Sequence, residues 1–376
     1  MKVLFNIGPA VQRHGGLGRY AEELAGALLA LNTGDDLRLF YNDPSRRSPS
    51  PPLDGLPRQV LGWSNKFWRM SALISCYAHI SMDSLLGEAD VFHATDHLLP
   101  RLRRMRSVFT LHDLAFLRVP ETHLPLNRWF LKLMMPFFLR QADEIISVSE
   151  YTKRDAVTFY GLDESKVQVI PEGVNPRFVP VRDPQRLAEA RQRYGLPEKF
   201  ILFVSTIEPR KNLVTLWEAY RALRSEGRTE GLVVVGQKGW LYQETMLRLR
   251  EVGLEEQVVF PGYVAEEDLP VLYSLADCFA FPSLFEGFGL TPLEAMASGC
   301  PVVCSNSSSL PEVCGDATIL VAPMDVAGLV SSLRRVLNEP DLQAELRNKG
   351  IRQAARFTWE SAAMRTLEVY KRTMSC

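Results

Sequence analysis

FPSLFEGFGLTPLEAMASGCPVV, Phe281 to Val303, holds one complete unit of a fold. Phe281 closes a short apolar run of strand character, CFAFPS. Pro292 suits the first turn of a helix, and LEAMA continues it. PVVCSN then begins a second β-rich run. A strand, a loop, a helix and a strand in that order make a parallel pair, because the helical crossover brings the chain back to the same end of the sheet.

The unit recurs along the chain. KVLFNI, DLRLFY, DVFHAT, SVFTLHD, EIISVS and VQVIP read as strands in the first half; FILFVST, LVVVG, VVFPG, CFAFPS, PVVCSN and TILVAP do so in the second. Helical patterns separate most of them, such as Leu17, Tyr20, Leu24, Leu28 and Leu31. Two such series predict an α/β protein of two Rossmann-like, doubly wound domains with sheets covered on both faces. A length of 376 residues is enough for each domain to bury its own core. The boundary is expected in IPEGVNPRFVPVRDPQ, Ile170 to Gln185, where four prolines oppose regular structure. NDPSRRSPSPPLDG, Asn42 to Gly55, reads as a surface loop of the first domain.

The formal net charge of -1 carries no field that points to nucleic acid. The six cysteines form neither a CxxC pair nor a zinc spacing, so buried free thiols in a reducing compartment are expected. MKVLFNIGPAV reads as a first strand rather than a secretory leader, and no run approaches about 18 apolar residues, the length of a membrane span. A cytoplasmic location is the expectation.

Three segments carry chemistry. HGGLGRYAEELAGALLAL, His14 to Leu31, follows the first strand and opens a helix; its glycines allow close approach of an anion, with a plain tight turn as the alternative. FVSTIEPRKNLVTLWEAY, Phe203 to Tyr220, places Arg210 and Lys211 at the end of a strand, where they suit a diphosphate or merely form a solvated basic turn. In the opening stretch, residues Glu286 to Thr291 place backbone N–H groups at a helix start, a second diphosphate cradle. Glu286 and Glu294 flank it and can accept from sugar hydroxyls, Glu294 from a ribose and Glu286 from a transferred sugar.

Glu286 and Glu294 within FEGFGLTPLEAMASGCPVV, together with EPRKN and GGLGRYAEELA, resemble retaining GT-B glycosyltransferases of family 4. HDLAFLRVPETH, SVSEYTKRDAV and VIPEGVNPRF extend the likeness over nearly the whole chain. The resemblance implies two Rossmann-like domains facing a cleft. Residues 1–180 would bind the acceptor and 190–357 the nucleotide-sugar, with the helix 358–376 packing back on the first domain. It also implies roles. Arg210 and Lys211 correspond to the cations on the diphosphate, and Phe288, Gly289, Leu290 and Thr291 lie in the loop with its amide cradle. Glu294 corresponds to the ribose ligand, Glu286 to the residue at the donor sugar, Gly16 to a glycine against the diphosphate and His112 to a histidine near the transferred sugar. Thr206 departs from the arginine that many members carry, so the clamp rests on Arg210 and Lys211. A retaining transfer without metal or other cofactor is implied, the leaving phosphate taking the acceptor proton.

The style of HDLAFLRVPETH and STIEPRKNL resembles bacterial mannosyltransferases of surface polysaccharide, which implies GDP-mannose and a saccharide or lipid-linked oligosaccharide acceptor. A UDP-sugar enzyme, a nucleotide-sugar epimerase, a pyridoxal-dependent phosphorylase and a non-catalytic binding module are the alternatives. His93, Asp96 and His97 read as a polar loop touching the acceptor rather than a metal site. The basic cluster of Arg101, Arg103, Arg104 and Arg106 suits a solvated loop or lipid head groups at the inner membrane surface, and Trp129 to Phe138 is expected in the core, with a membrane-facing helix as the alternative.

Overall fold

The structure, a computed structural model, describes residues 1–375. It divides into two units. The first comprises Met1–Leu114, Pro125–Gly173 and the chain from Thr358 onward; the second comprises Ala115–Leu124 and Val174–Phe357.

The first unit is built on seven strands: β1 (Lys2–Asn6), β2 (Asp36–Asn42), β3 (Arg58–Leu61), β4 (Val91–Ala94), β5 (Arg106–Leu111), β6 (Glu144–Ser147) and β7 (Val167–Val169). They lie in the order β3-β2-β1-β4-β5-β6-β7, all parallel. The second is built on β8 (Phe200–Val204), β9 (Gly231–Val235), β10 (Val258–Val259), β11 (Cys278–Phe281), β12 (Val302–Ser305) and β13 (Ile319–Val321). Their order is β10-β9-β8-β11-β12-β13, again all parallel. Central strands such as β5, β8 and β11 are almost wholly buried, which explains why they read as unbroken apolar runs. In each sheet the winding reverses beside the first strand, at β1 and β4 in one and at β8 and β11 in the other. Loops leaving the C-terminal ends of those strands diverge and open a crevice for a ligand.

Every strand expected from sequence is present; β3 is the addition. It is an edge strand whose first two residues, Arg58 and Gln59, are exposed, so it lacks the apolar run that marks the others. The chain leaves the first unit at Gly173, earlier than residue 180. Val174 N donates to Phe357 O at 3.0 Å and Val181 N to Ser274 Oγ at 2.9 Å, which ties the proline-rich stretch to the second unit. Ala115–Leu124 also belongs there, where Trp240 Nε1 donates to Thr122 O at 2.7 Å.

The helix Gly15–Ala30 buries Tyr20, Leu24 and Leu28, the stripe its spacing predicts. A Cβ on Gly18 would meet Pro9 O at 2.8 Å, so only glycine lets the Gly8–Val11 turn rest on this helix. The last helix, Trp359–Ser375, packs on it and on β5 and β6. His93, expected at an acceptor-contacting loop, is instead fully buried in β4. Its Nδ1 lies 2.6 Å from the Tyr370 hydroxyl and its Nε2 2.7 Å from Thr110 Oγ1, and Phe5 meets its ring edge-on. Burial pushes its pKa down to about 3, with His112 adding to the effect. The imidazole is a neutral strut joining β4, β5 and the last helix. Tyr370→Phe leaves Nδ1 without its partner, and urea denaturation should show a loss of about 1–3 kcal/mol. An unchanged midpoint would mean that the strut carries no load.

Candidate active site

In the second unit, β8 ends in a loop to the single helical turn Pro209–Lys211, and the helix Leu213–Ser225 follows. Asn212 joins them in the left-handed conformation, φ 55, which asparagine tolerates better than most residues. Its Nδ2 donates to Pro282 O at 2.9 Å and to Pro323 O at 2.7 Å. The EPRKN turn is thereby fastened to the loop leaving β11. Leu284 N donates to Arg210 O at 2.8 Å, which tightens the same seam.

The Glu286 carboxylate lies in that seam. Oε1 accepts from Lys211 Nζ at 2.7 Å and from Ser283 Oγ at 2.5 Å; Oε2 accepts from Arg210 Nη1 at 3.1 Å. Arg210 also donates to Phe285 O at 2.7 Å and to Glu208 Oε1 at 2.9 Å. The group is two cations and two carboxylates, all largely shielded from water. Burial alone would raise the Glu286 carboxyl, but Lys211 and Arg210 outweigh it and hold it below its usual value. Burial pushes the Lys211 ammonium down, Arg210 adds to that, and the two carboxylates only partly restore it. The cluster is formally neutral, with both cations paired to carboxylates of the same unit.

The loop from Glu286 to Gly289 is held from behind by serines that follow β12. Ser308 Oγ accepts from Glu286 N at 2.8 Å, and Ser309 Oγ donates to Glu286 O at 3.0 Å and to Phe288 O at 2.7 Å. Gly289 takes φ 122, and a Cβ there would meet Leu310 Cδ2 at 2.8 Å. The helix Leu290–Ala297 starts at once, so the amides of Leu290 and Thr291 belong to a first helical turn, which has no intrahelical acceptors. The Phe288 side chain is buried edge-on against Phe357, leaving its backbone as the part available to a ligand. Glu294 lies buried within the helix, 3.4 Å from the Tyr273 hydroxyl. Thr206 and Ser205 pack under the β9 loop: a Cβ on Gly236 would meet Ser205 O at 1.8 Å, and one on Gly239 would meet Thr206 Cγ2 at 2.6 Å.

His112 and Gly16 belong to the first unit, at its own reversal point. His112 follows β5 and is buried; its Nε2 donates to Thr95 O at 2.9 Å, so that nitrogen carries a proton. Nδ1 lies 3.5 Å from Glu172 Oε1, and Tyr20 meets the ring edge-on. A substrate reaching Nδ1 must compete with Glu172. Gly16 is exposed in the first turn of its helix, with open space where a Cβ would stand. Asp96 follows β4; burial raises its carboxyl to about 6, against the pull of the Leu98 amide and Asn6. Among the described residues no group of three or more His, Cys, Asp or Glu is arranged to hold a metal.

Arg210, Lys211 and Glu286, expected from residue type, are in direct contact. Glu208, Ser283 and Asn212 complete that group, and the serines at 307–309 and Glu172 are further polar partners that no expectation covered. Glu208 and Asn212 stood within the quoted EPRKN, and SNSSSL after a strand was the signal for the serines.

Structural comparison places the chain beside sucrose-phosphate synthase from Thermosynechococcus elongatus, with a TM-score of 0.78 over 100% of this chain and 99% of that one at 22% identity. The architecture is thus that of the GT-B glycosyltransferases. Residues 186–353 match the glycosyl transferases group 1 family and residues 14–178 match glycosyltransferase family 4. O-antigen chain mannosyltransferase B of Escherichia coli is 30% identical over 385 positions, covering 99% of this chain and 100% of the relative. MMP alpha-(1->4)-mannosyltransferase of Mycolicibacterium hassiacum is 31% identical over 308 positions, covering 77% and 72%. The chain belongs to the glycosyl transferases group 1 family and is a hexosyltransferase.

The raised Asp96 carboxyl gives a pH signature. The folded protein holds that proton more tightly than the unfolded chain, so this group's contribution to stability is full below about pH 4 and is lost as pH rises through about 6. Asp96→Asn removes the penalty. Relative to the parent it should gain about 2 kcal/mol at pH 7 and nothing near pH 4. Thermal unfolding across that range checks this; a gain independent of pH would contradict it.

Proposed function

We propose that the protein transfers a mannosyl group from GDP-mannose, with retention at the anomeric carbon, to a saccharide or lipid-linked oligosaccharide of a surface polysaccharide. The observation that carries the reading is the joint one: the Arg210–Lys211 pair beside a helix start, in a chain that matches O-antigen chain mannosyltransferase B over all of that relative.

Cleavage of the sugar–phosphate bond builds negative charge on the departing diphosphate and positive charge on the sugar ring. Arg210, Lys211 and the amides of Gly289, Leu290 and Thr291 would stabilise the first without metal. Lys211 gains from the exchange, since Glu286 and Glu208 only partly offset the effect of its burial. When phosphate oxygens take over the cations, Glu286 is released to accept from hydroxyls of the sugar. Glu294 receives the ribose. His112 would meet the transferred sugar, its ring held by Thr95 and Glu172. The leaving phosphate would take the acceptor proton on the same face, so no protein nucleophile is invoked.

Calorimetry with GDP, UDP, ADP and dTDP, without added metal, tests the donor. GDP should bind selectively, and Arg210→Ala should weaken it about 10-fold to 100-fold, the loss of a hydrogen-bonded charge. Preference for UDP would overturn the mannose donor, and absence of binding by the folded protein would overturn the site itself.

A further inference from the structure

A cavity of about 300 Å³ opens in the first unit between two loops. One loop runs from Ile7 to Arg13 after β1, and the other spans 47–53 after β2. Both leave the C-terminal ends of neighbouring parallel strands, the edge at which such sheets take ligands. Ile7, Val11 and Leu53 give the cavity an apolar lining; Arg13, Arg47 and Glu22 give it charge. Its size is that of a small-molecule site and suits one sugar ring.

The loop 42–55, expected at the surface, is fastened in place. Asp43 N donates to Leu61 O at 2.9 Å, the Tyr41 hydroxyl to Arg47 O at 2.6 Å and Arg47 N to Asp43 Oδ2 at 2.8 Å. Three side-chain amides tie it to the other wall. Gln12 Nε2 donates to Asn42 O at 2.7 Å, Asn65 Nδ2 to Gln12 Oε1 at 2.8 Å and Asn42 Nδ2 to Asn65 Oδ1 at 2.7 Å. A long loop with this much internal order marks function.

The two arginines keep donors to spare. Arg47 spends two of its five N–H groups on Asp43, at 3.1 and 3.2 Å. Among the described residues the Arg13 guanidinium makes no hydrogen bond or ion pair. Arg13 takes φ 58, a left-handed backbone that glycine adopts freely and arginine does not. The turn holds it there, with Arg13 N donating to Ala10 O at 2.9 Å and His14 N to Pro9 O at 2.9 Å. An unpaired arginine at a position that favours glycine is placed for an anion rather than for stability. Of the other charged groups, Asp43 is taken up by Arg47, and burial together with Arg47 holds the His14 pKa below its usual value.

We propose that this cavity binds one sugar of the acceptor that carries an anionic group, a phosphate or a carboxylate. Arg13 and Arg47 take the anion, Glu22 accepts from ring hydroxyls, and the apolar lining meets the C–H face of the ring. A neutral sugar would leave the Arg13 guanidinium unpaired. A bare anion would leave Glu22 and the apolar lining unused. The inference rests on the proposed function only in giving the first unit to the acceptor, and it is independent of the donor.

Calorimetry of the full chain with mannose 6-phosphate, glucuronic acid, mannose and inorganic phosphate tests it. At least one acidic sugar should bind about 10-fold or more tightly than mannose and than inorganic phosphate. Tighter mannose 6-phosphate assigns the anion as a phosphate, and tighter glucuronic acid as a carboxylate; either supports the site. Arg13→Gln should weaken the preferred sugar about 10-fold or more. Arg13→Gly should weaken it as much while raising the thermal midpoint, because glycine accepts the left-handed backbone. Arg46→Ala, on the same loop but outside the lining, should bind as the parent does, and so should Arg210→Ala in the second unit. Equal binding of mannose and both acidic sugars, binding of neither acidic sugar, or full binding by Arg13→Gln would overturn the proposal. So would loss of binding in Arg210→Ala, or inorganic phosphate that binds as tightly as the acidic sugars. A protein that takes an acidic sugar but no GDP contradicts the donor reading alone, and one that takes GDP but no acidic sugar contradicts this inference alone.

Discussion

Glu286 holds together two loops at the C-terminal edge of the second unit's sheet. Parallel strands in a doubly wound sheet send their C-terminal loops apart at the reversal point, and something must bridge the gap. Here β8 and β11 end side by side, and one carboxylate joins Arg210 and Lys211 from the first loop to Ser283 of the second. A buried charge of this kind is costly unless fully partnered. That constraint explains why the surrounding polar groups are so completely engaged: Glu208 on Arg210, Asn212 on two carbonyls, and the serines after β12 on the loop backbone. It also gives the cluster its character, because Arg210 and Lys211 are held and neutralised by carboxylates of the same unit.

Much of this was legible in the sequence, and the parts that were not share a physical cause. Buried parallel strands announce themselves as apolar runs, so twelve segments could be read, while β3, half exposed at the edge, could not. Arg210, Lys211 and Glu286 are recognisable by residue type at the end of a strand. Ser283 bonds the Glu286 carboxylate, and Ser308 and Ser309 bond its backbone; these contacts depend on the meeting of three loops, and no local pattern specifies such a meeting. His93 shows the opposite error: a histidine beside Asp96 and His97 looks functional in one dimension, yet the fold places it between Tyr370 and Thr110 in the core. The proline-rich boundary was visible, but which unit its residues join depends on bonds to positions far along the chain.

The two units use polar groups differently. In the second, Glu208, Arg210, Lys211 and Glu286 form one shielded cluster beside a helix start. In the first the buried polar groups serve mainly to position others: Thr95 and Glu172 fix the His112 ring, and Tyr370 ties the last helix to β4. Its unusual feature is the cavity beyond β1 and β2, lined by Arg13 on a left-handed backbone. Stability and recognition thus make separate demands on the same elements. A helix read from spacing alone reveals only the face it buries: Pro125–Gln141 buries Leu131 and Phe138 but leaves Trp129 59% exposed, so the core expectation for Trp129 to Phe138 holds on one side only.

The coupling between Glu286 and Lys211 is the most direct measure of this account. A double-mutant cycle with Glu286→Gln and Lys211→Met, read by equilibrium denaturation, isolates it from their other contacts. Glu286→Gln should cost about 3 kcal/mol or more, since it removes the carboxylate bonded to the buried Lys211 ammonium; Lys211→Met should cost less, because Glu286 keeps Arg210 and Ser283, and the double should cost little more than Glu286→Gln alone. Strictly additive losses would mean that the two groups act independently and that Glu286 does not hold the cation in place.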